Sequence, residues 1–409
     1  MSLADNIEFL RHLPKLSDFN SLNTLTRGLK PGGKPSPLAE TTHFGGNPGD
    51  LRMFSFVPGD QRARQKLALV VVLHGCGQNA VGYDMGAGWS TLAENFGFAL
   101  LMPEQKHSNN ANGCFNWFVP QHTTRESGEA ASIRQMVARM ARDHNIDETR
   151  IFVTGLSAGG AMTAAMLATY PDVFAGGAVI AGLPFGVANN LQQALNAMYQ
   201  SRPRPAAELG DLVRNASPHN GPWPKLAIWH GSADKTVNPA NADELVKQWL
   251  DVHYLPATPH SRSSVDGYPR QVWRNAEGET VVEFYTITNM AHGTPLGLAE
   301  NAEHYGAEGA FLLEAGISSS YHIAKFFGLT AQGQPRVQTS NDASTQNSRQ
   351  VAKHLPSAAR PTSPPDITTV LEPLLNINRK SEPNDQKRLP VIDVGSIITR
   401  ALTAAGLMK

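Results

Sequence analysis

Several apolar runs along this chain are continuous rather than alternating, and they recur between stretches of helical periodicity from about residue 51 to residue 329. A strand that is apolar at every position is covered on both faces, and helices supply that cover. The candidate strands are 51–57, 67–73, 98–102, 150–154, 177–181, 226–230 and 281–288. Between them, residues 129–144 repeat Ile133, Met136, Val137 and Met140 at three- and four-residue spacing, and residues 242–250 are also helical in pattern. The alternation predicts an α/β fold over residues 49–330, with a mostly parallel central sheet flanked by helices.

The flanks read differently. Residues 1–48 contain GLKPGGKPSP and are expected to be an irregular lead-in. Residues 331–365 (QTSNDASTQNSRQ, then RPTSPP) bury too little apolar surface to offset their ordering entropy, and read as a disordered linker. In the tail, 366–409, Val394, Ile397, Ile398, Ala401, Leu402 and Ala405 share one helical face after an N-cap at Asp393. That face either packs on the main domain, mediates self-association, or touches a hydrophobic surface such as a polymer granule.

Charge and composition exclude other classes. Thirty-five basic and thirty-five acidic side chains cancel, so no electrostatic footprint points to nucleic acid. The longest apolar run, 67–73, is far shorter than the roughly 18 residues of a spanning helix, so the chain is not expected to be integral to a membrane. Two cysteines, Cys76 and Cys114, cannot make a four-ligand zinc site but can form one bridge, and neither a metal nor another cofactor is expected. Asp5, Glu8, Arg11 and Lys15 interrupt the first residues, so no secretory signal core is visible and, read literally, the chain is cytoplasmic.

The chemistry is announced by IFVTGLSAGGAMTAAMLA, where a strand runs into Gly155-Leu156-Ser157-Ala158-Gly159 and a helix of small residues follows. This is the context of a nucleophile elbow, in which the serine is strained and its neighbours are too close for a Cβ. Serine needs a base, and in such a fold the acid and histidine follow it in that order. Asp234 lies just past the 226–230 strand and His292 just past the 281–288 strand, both at carboxyl ends where active sites of parallel sheets lie. Asp234 would orient His292, and His292 would deprotonate Ser157. His74 and His230 read as structural supports of loop geometry, and Asp172 as a capping or surface residue. Two backbone donors are needed for the tetrahedral intermediate: Ala158 supplies one, and Cys76, in His74-Gly75-Cys76-Gly77-Gln78, is the best second.

LHGCGQNA, NGCFNWF, GLSAGGAMTAAMLATYPDVFAGGAVIAG, WHGSADKTVNPANA and NMAHGTP together resemble the catalytic domain of the polyhydroxybutyrate depolymerase family of esterases, related to acetylxylan and feruloyl esterases. The resemblance covers about residues 45–328. It implies an α/β-hydrolase fold, hydrolysis of short-chain esters through an acyl-enzyme, Ser157, Asp234 and His292 as triad, and Cys76 at the oxyanion position. It also implies Trp117 beside the substrate cleft, with Asn116 and Gln78 as further substrate-binding candidates, although Trp117 also suits a core position. The family often bridges the positions of Cys76 and Cys114, worth roughly 4 kcal/mol for a loop of this size. Secreted members append a substrate-binding domain after a linker; the segment here is too short for one. The resemblance implies an extracellular protein and a polyester, oligoester or small ester substrate. The alternatives are an acetylxylan or feruloyl type esterase, and a non-catalytic polymer- or granule-binding protein on the same fold.

Overall fold

All the candidate strands form. In the computed structural model, which describes residues 36–59, 66–297 and 305–330, the strands are β1 (Ala39–Thr41), β2 (Arg52–Phe56), β3 (Leu67–Leu73), β4 (Ala99–Glu104), β5 (Ile146–Leu156), β6 (Gly176–Ile180), β7 (Lys225–Gly231), β8 (Ser261–Val265), β9 (Tyr268–Arg274), β10 (Thr280–Ile287), β11 (Thr294–Leu296) and β12 (Leu312–Glu314). The helices are α1 (Ala80–Ala87), α2 (Trp89–Phe96), α3 (Pro120–Thr123), α4 (Gly128–Asp143), α5 (Ala158–Thr169), α6 (Leu191–Gln200), α7 (Ala206–Arg214), α8 (Ala240–Val252) and α9 (Ser319–Phe326). The expected linker and tail lie outside the described residues, as does most of the lead-in.

The main sheet has ten strands in the order β1-β2-β4-β3-β5-β6-β7-β10-β9-β8. Its middle, β4 through β10, is parallel, and both margins are antiparallel. The unbroken run of β3 has a direct physical reading. Leu69, Val71 and Leu73 pack on one side with Met136, Met162 and Trp249. Val70 and Val72 pack on the other with Leu92, Trp229 and Ile323. Each fully buried aliphatic side chain of this kind contributes about 1.5–3 kcal/mol, so both helical layers are needed to hold β3.

Three elements escape the apolar-run pattern. β1 is a three-residue polar edge strand inside the segment expected to be irregular, held by register with β2. β8 and β9 form a polar hairpin across an Asp266-Gly267 turn in which both residues have positive φ (49° and 86°). A small parallel pair, β11 and β12, lies outside the main sheet. Among the described residues no helix is long and apolar enough to cross a membrane.

Candidate active site

The site starts from a backbone that few residues tolerate. Ser157, between β5 and α5, has φ 58° and ψ −116°, a region costing of order 1–3 kcal/mol for a residue with a Cβ. The surrounding contacts enforce it. Ser157 N donates to Ile180 O at 2.9 Å, and a Cβ on Gly159 would stand 2.3 Å from Leu73 O and 2.5 Å from His74 O. The elbow therefore sits against the end of β3, with Ser157 at the amino end of α5, where the helix dipole favours developing negative charge.

Asp234 and His292 meet above neighbouring strand ends. Ser232 N donates to Ile287 O at 2.9 Å and Ala233 N to Met290 O at 3.0 Å, which ties the loop after β7 to the loop after β10. His292 Nδ1 lies 2.7 Å from Asp234 Oδ2. The other carboxylate oxygen accepts from Thr236 N at 2.8 Å and Val237 N at 2.9 Å. Burial pushes the Asp234 carboxyl up, but hydrogen bonds from His230 and His292, with that of Val237 N, hold it well below its ordinary value. With Nδ1–H committed to this carboxylate, Nε2 is the His292 nitrogen able to take a proton. The described hydrogen bonds do not include one between Ser157 Oγ and His292 Nε2; such bonds tighten when substrate is bound.

His230 is a second partner of the same acid. Its Nε2 lies 3.0 Å from Val237 O and 3.2 Å from Asp234 Oδ2. A carbonyl only accepts, so Nε2 carries the hydrogen and donates to both.

The segment after β3, from His74 to Gln78, is held with equal care. Gly75 N donates to Gln78 Oε1 at 2.9 Å, Gly77 N to Asn112 O at 2.8 Å and Gln78 N to Gly75 O at 3.3 Å. Cys76 N, between them, donates to no group among the described residues. His74 fixes this peptide: its Nε2 accepts from Gln105 N at 3.1 Å, so Nδ1–H donates to Gly75 O at 2.8 Å, the carbonyl of the peptide whose N–H is that of Cys76. Complete burial pushes the His74 imidazole down, keeping it neutral for both bonds. Cys76 and Cys114 form a disulfide with Cα atoms 4.2 Å apart, joining this segment to the loop that carries Asn116 and Trp117.

That loop is pinned from beneath by Glu129 of α4. The carboxylate accepts from Asn116 N at 2.8 Å, Asn116 Nδ2 at 2.6 Å and Gln105 Nε2 at 2.7 Å. Burial nevertheless pushes the Glu129 carboxyl up to about 7. Asn116 Oδ1 accepts from Asn110 Nδ2 at 2.9 Å, and the Gln78 amide spans Gly75 N and Ala310 O, so both amides are engaged within the protein. Trp117 is half-buried and packs against the main core as well as a small apolar cluster of Ala161, Leu183 and Val237. These three belong to α5, the segment after β6 and the Asp234 loop.

Sequence reasoning missed Phe311, whose ring meets that of His292 edge to face at 5.9 Å. It carries no motif. Its place is set by Thr294 N, which donates to Phe311 O at 2.8 Å.

The family described as esterase PHB depolymerase matches residues 53–266, which include Ser157 and Asp234 and stop short of His292. Poly(3-hydroxyalkanoate) depolymerase C of Paucimonas lemoignei is 47% identical over 293 residues, 71% of this chain and 70% of that protein. An acetylxylan esterase of Coprinopsis cinerea is 36% identical, covering 64% of this chain and 72% of its own length. Among solved structures, acetyl xylan esterase from Aspergillus awamori superimposes with a TM-score of 0.57 at 26% identity, over 62% of this chain and 93% of that one. The mostly parallel sheet, covered by helices on both faces, is thus an α/β-hydrolase fold, and the chain, a carboxylic ester hydrolase, belongs to the esterase PHB depolymerase family.

Proposed function

We propose that the chain hydrolyses 3-hydroxybutyrate-type polyester or oligoester bonds with Ser157 as nucleophile, His292 as general base and acid, and Asp234 as the group that orients His292. The observation that carries this reading is the 2.7 Å contact between His292 Nδ1 and a buried Asp234 whose other oxygen is satisfied by two backbone amides.

His292 Nε2 takes the proton of Ser157 Oγ as Oγ bonds to the ester carbonyl carbon. The carbonyl oxygen becomes an oxyanion that accepts from Cys76 N–H and Ala158 N–H. The intermediate collapses, the ester C–O bond breaks, and His292 returns the proton to the departing alkoxide. Water, deprotonated by His292, then attacks the acyl-Ser157 carbonyl, and the acid leaves as Ser157 regains its proton. The half-buried Trp117 and the cluster of Ala161, Leu183 and Val237 provide an apolar wall suited to a short acyl chain. The polyester assignment is supported by the name of the 47% identical relative. The acetylxylan esterase superposition favours acetyl esters of a polysaccharide as the second reading.

The test measures acid released from amorphous polyhydroxybutyrate, p-nitrophenyl butyrate and acetylated xylan, with Ser157→Ala as the blank for each. The expected result is activity on the polyester and the soluble ester, lost in the variant. Turnover surviving in Ser157→Ala refutes the mechanism; activity on acetylated xylan without polyester refutes the substrate.

A further inference from the structure

Beside α6 the structure holds a cavity of about 340 Å³, which is large enough for a small organic acid. It lies between the segment after β6, the two ends of α6 and the start of α8. Two of its wall residues, Val187 and Ala197, also pack against the apolar cluster of Ala161, Leu183 and Val237. The cavity thus adjoins the wall that rises from the nucleophile helix. Its position is fixed relative to Asp234 as well: Asn238 N donates to Met198 O at 2.7 Å and Asn241 Nδ2 to Ala197 O at 3.0 Å, which fastens the end of α6 to the acid loop.

Its chemistry favours an anion. The one carboxylate in the lining, Glu244, is already satisfied: it accepts from Arg204 N at 3.0 Å and pairs with Lys247. Arg204 is engaged too, with Glu208 at 3.1 Å and Val187 O at 3.2 Å. What remains unspent is donor capacity. Among the described residues the exposed Arg202 guanidinium has no protein partner, and the amide nitrogens of the exposed Gln193 and half-buried Asn196 donate to no protein group, while their oxygens accept from Asn189 N and Gln192. Ser201 lines the same cavity, is 5% exposed, and its buried hydroxyl has no hydrogen-bond partner. Its backbone is left-handed at φ 36°, a conformation that costs energy for a serine.

We propose that this cavity is a leaving-group subsite for the terminal carboxylate of a hydroxyacid oligoester, recognised by Arg202, Gln193, Asn196 and Ser201. The inference rests on the ester-hydrolase reading above and deepens it. When such an ester is cleaved, the acyl fragment stays on Ser157 and the departing alcohol carries the carboxylate end of the chain. A cationic, amide-lined pocket next to the apolar wall selects substrates whose free carboxylate lies close to the cleaved bond, which are short oligomers and chain ends.

The experiment compares the 3-hydroxybutyrate trimer as free acid with its methyl ester, using the full chain, wild type and Arg202→Glu. The expected result is a wild-type preference for the free acid, expressed as the ratio of the two kcat/KM values, that falls about tenfold in Arg202→Glu, through KM of the free acid. Methyl-ester turnover in each protein reports that it is folded. An equal ratio in both proteins overturns the subsite, and so does failure of the wild type to cleave either trimer. Methyl-ester turnover that persists in Ser157→Ala is a different failure, that of the mechanism.

Discussion

Gln78 Nε2 donates to Ala310 O at 3.1 Å, across 232 positions of sequence. The same amide accepts from Gly75 N with its oxygen, and Ala310 precedes Phe311, whose ring packs on His292 and whose carbonyl holds Thr294 N. One side chain therefore spans the segment that carries the Cys76 amide and the shelf that supports His292.

Gln78→Met removes both bonds while keeping the volume close. The expected effect is a fall in kcat of about tenfold to a hundredfold with KM little changed, because an oxyanion donor acts mainly in the transition state. Steady-state kinetics on p-nitrophenyl butyrate checks it; a change confined to KM would assign Gln78 to ground-state binding.

Asp234→Asn should lower kcat by about a thousandfold or more, since an amide can present its NH2 to Nδ1 and favour the wrong tautomer of His292. His230→Gln should cost far less, about tenfold, because Asp234 keeps its bonds to His292, Thr236 N and Val237 N. Comparing the two variants at one pH separates orienting the base from propping the acid.

Glu129 makes stability depend on pH in a stated direction. Its folded value of about 7 lies above the ordinary 4.5, so between these values the folded protein keeps a proton that the unfolded chain has released. The contribution is fully present below about pH 4.5 and is lost as pH rises through 7, on the order of 3 kcal/mol in all. Asp84, which burial pushes up to about 6, acts in the same direction, so the comparison is between wild type and Glu129→Gln. Thermal unfolding at pH 5 and pH 8 should show a smaller decline for the variant.

Gly159→Ala tests the close approach at the elbow. Its methyl would meet two main-chain oxygens, at 2.3 and 2.5 Å, and neither can swing aside. We expect a loss of stability of several kcal/mol, seen as a lowered unfolding midpoint, together with lost turnover. Ala161→Gly, two residues on at a position in the small apolar cluster, serves as a control for helix propensity of about 1 kcal/mol.

The central strands were legible because burial on both faces leaves an unbroken apolar run, as in residues 67–73, that no surface element shares. The strained turn at Ser157 and the contact between Asp234 and His292 were legible for a related reason: each of the three residues follows such a run at its carboxyl end. The hairpin of β8 and β9 was not, because β8 is polar and largely exposed, β9 buries only Val272 and Trp273, and the pair is held by register against β10. Its Asp266-Gly267 pair was the available signal, since two consecutive positive φ values favour that dipeptide. Glu129 and Phe311 were hidden differently. A glutamate in an amphipathic helix reads as surface, and only the fold brings Asn116 and Gln105 over it. Phe311 meets His292 through a main-chain bond that leaves no trace in side-chain pattern.

The hydrogen bonds from Asn238 and Asn241 to the last carbonyls of α6 separate two kinds of inheritance in this molecule. Under the proposed mechanism the reacting groups stand on loops after β3, β5, β7 and β10, whereas the proposed subsite for the departing end of the substrate belongs mainly to the excursion between β6 and β7, which meets the loop after β7 through main-chain acceptors that any sequence supplies. The excursion is held elsewhere by Gln248, which bonds Phe185 and Leu209, and by Glu244, which accepts from Arg204 N, so change confined to its remaining surface would alter what meets a substrate while the reacting groups keep their strands.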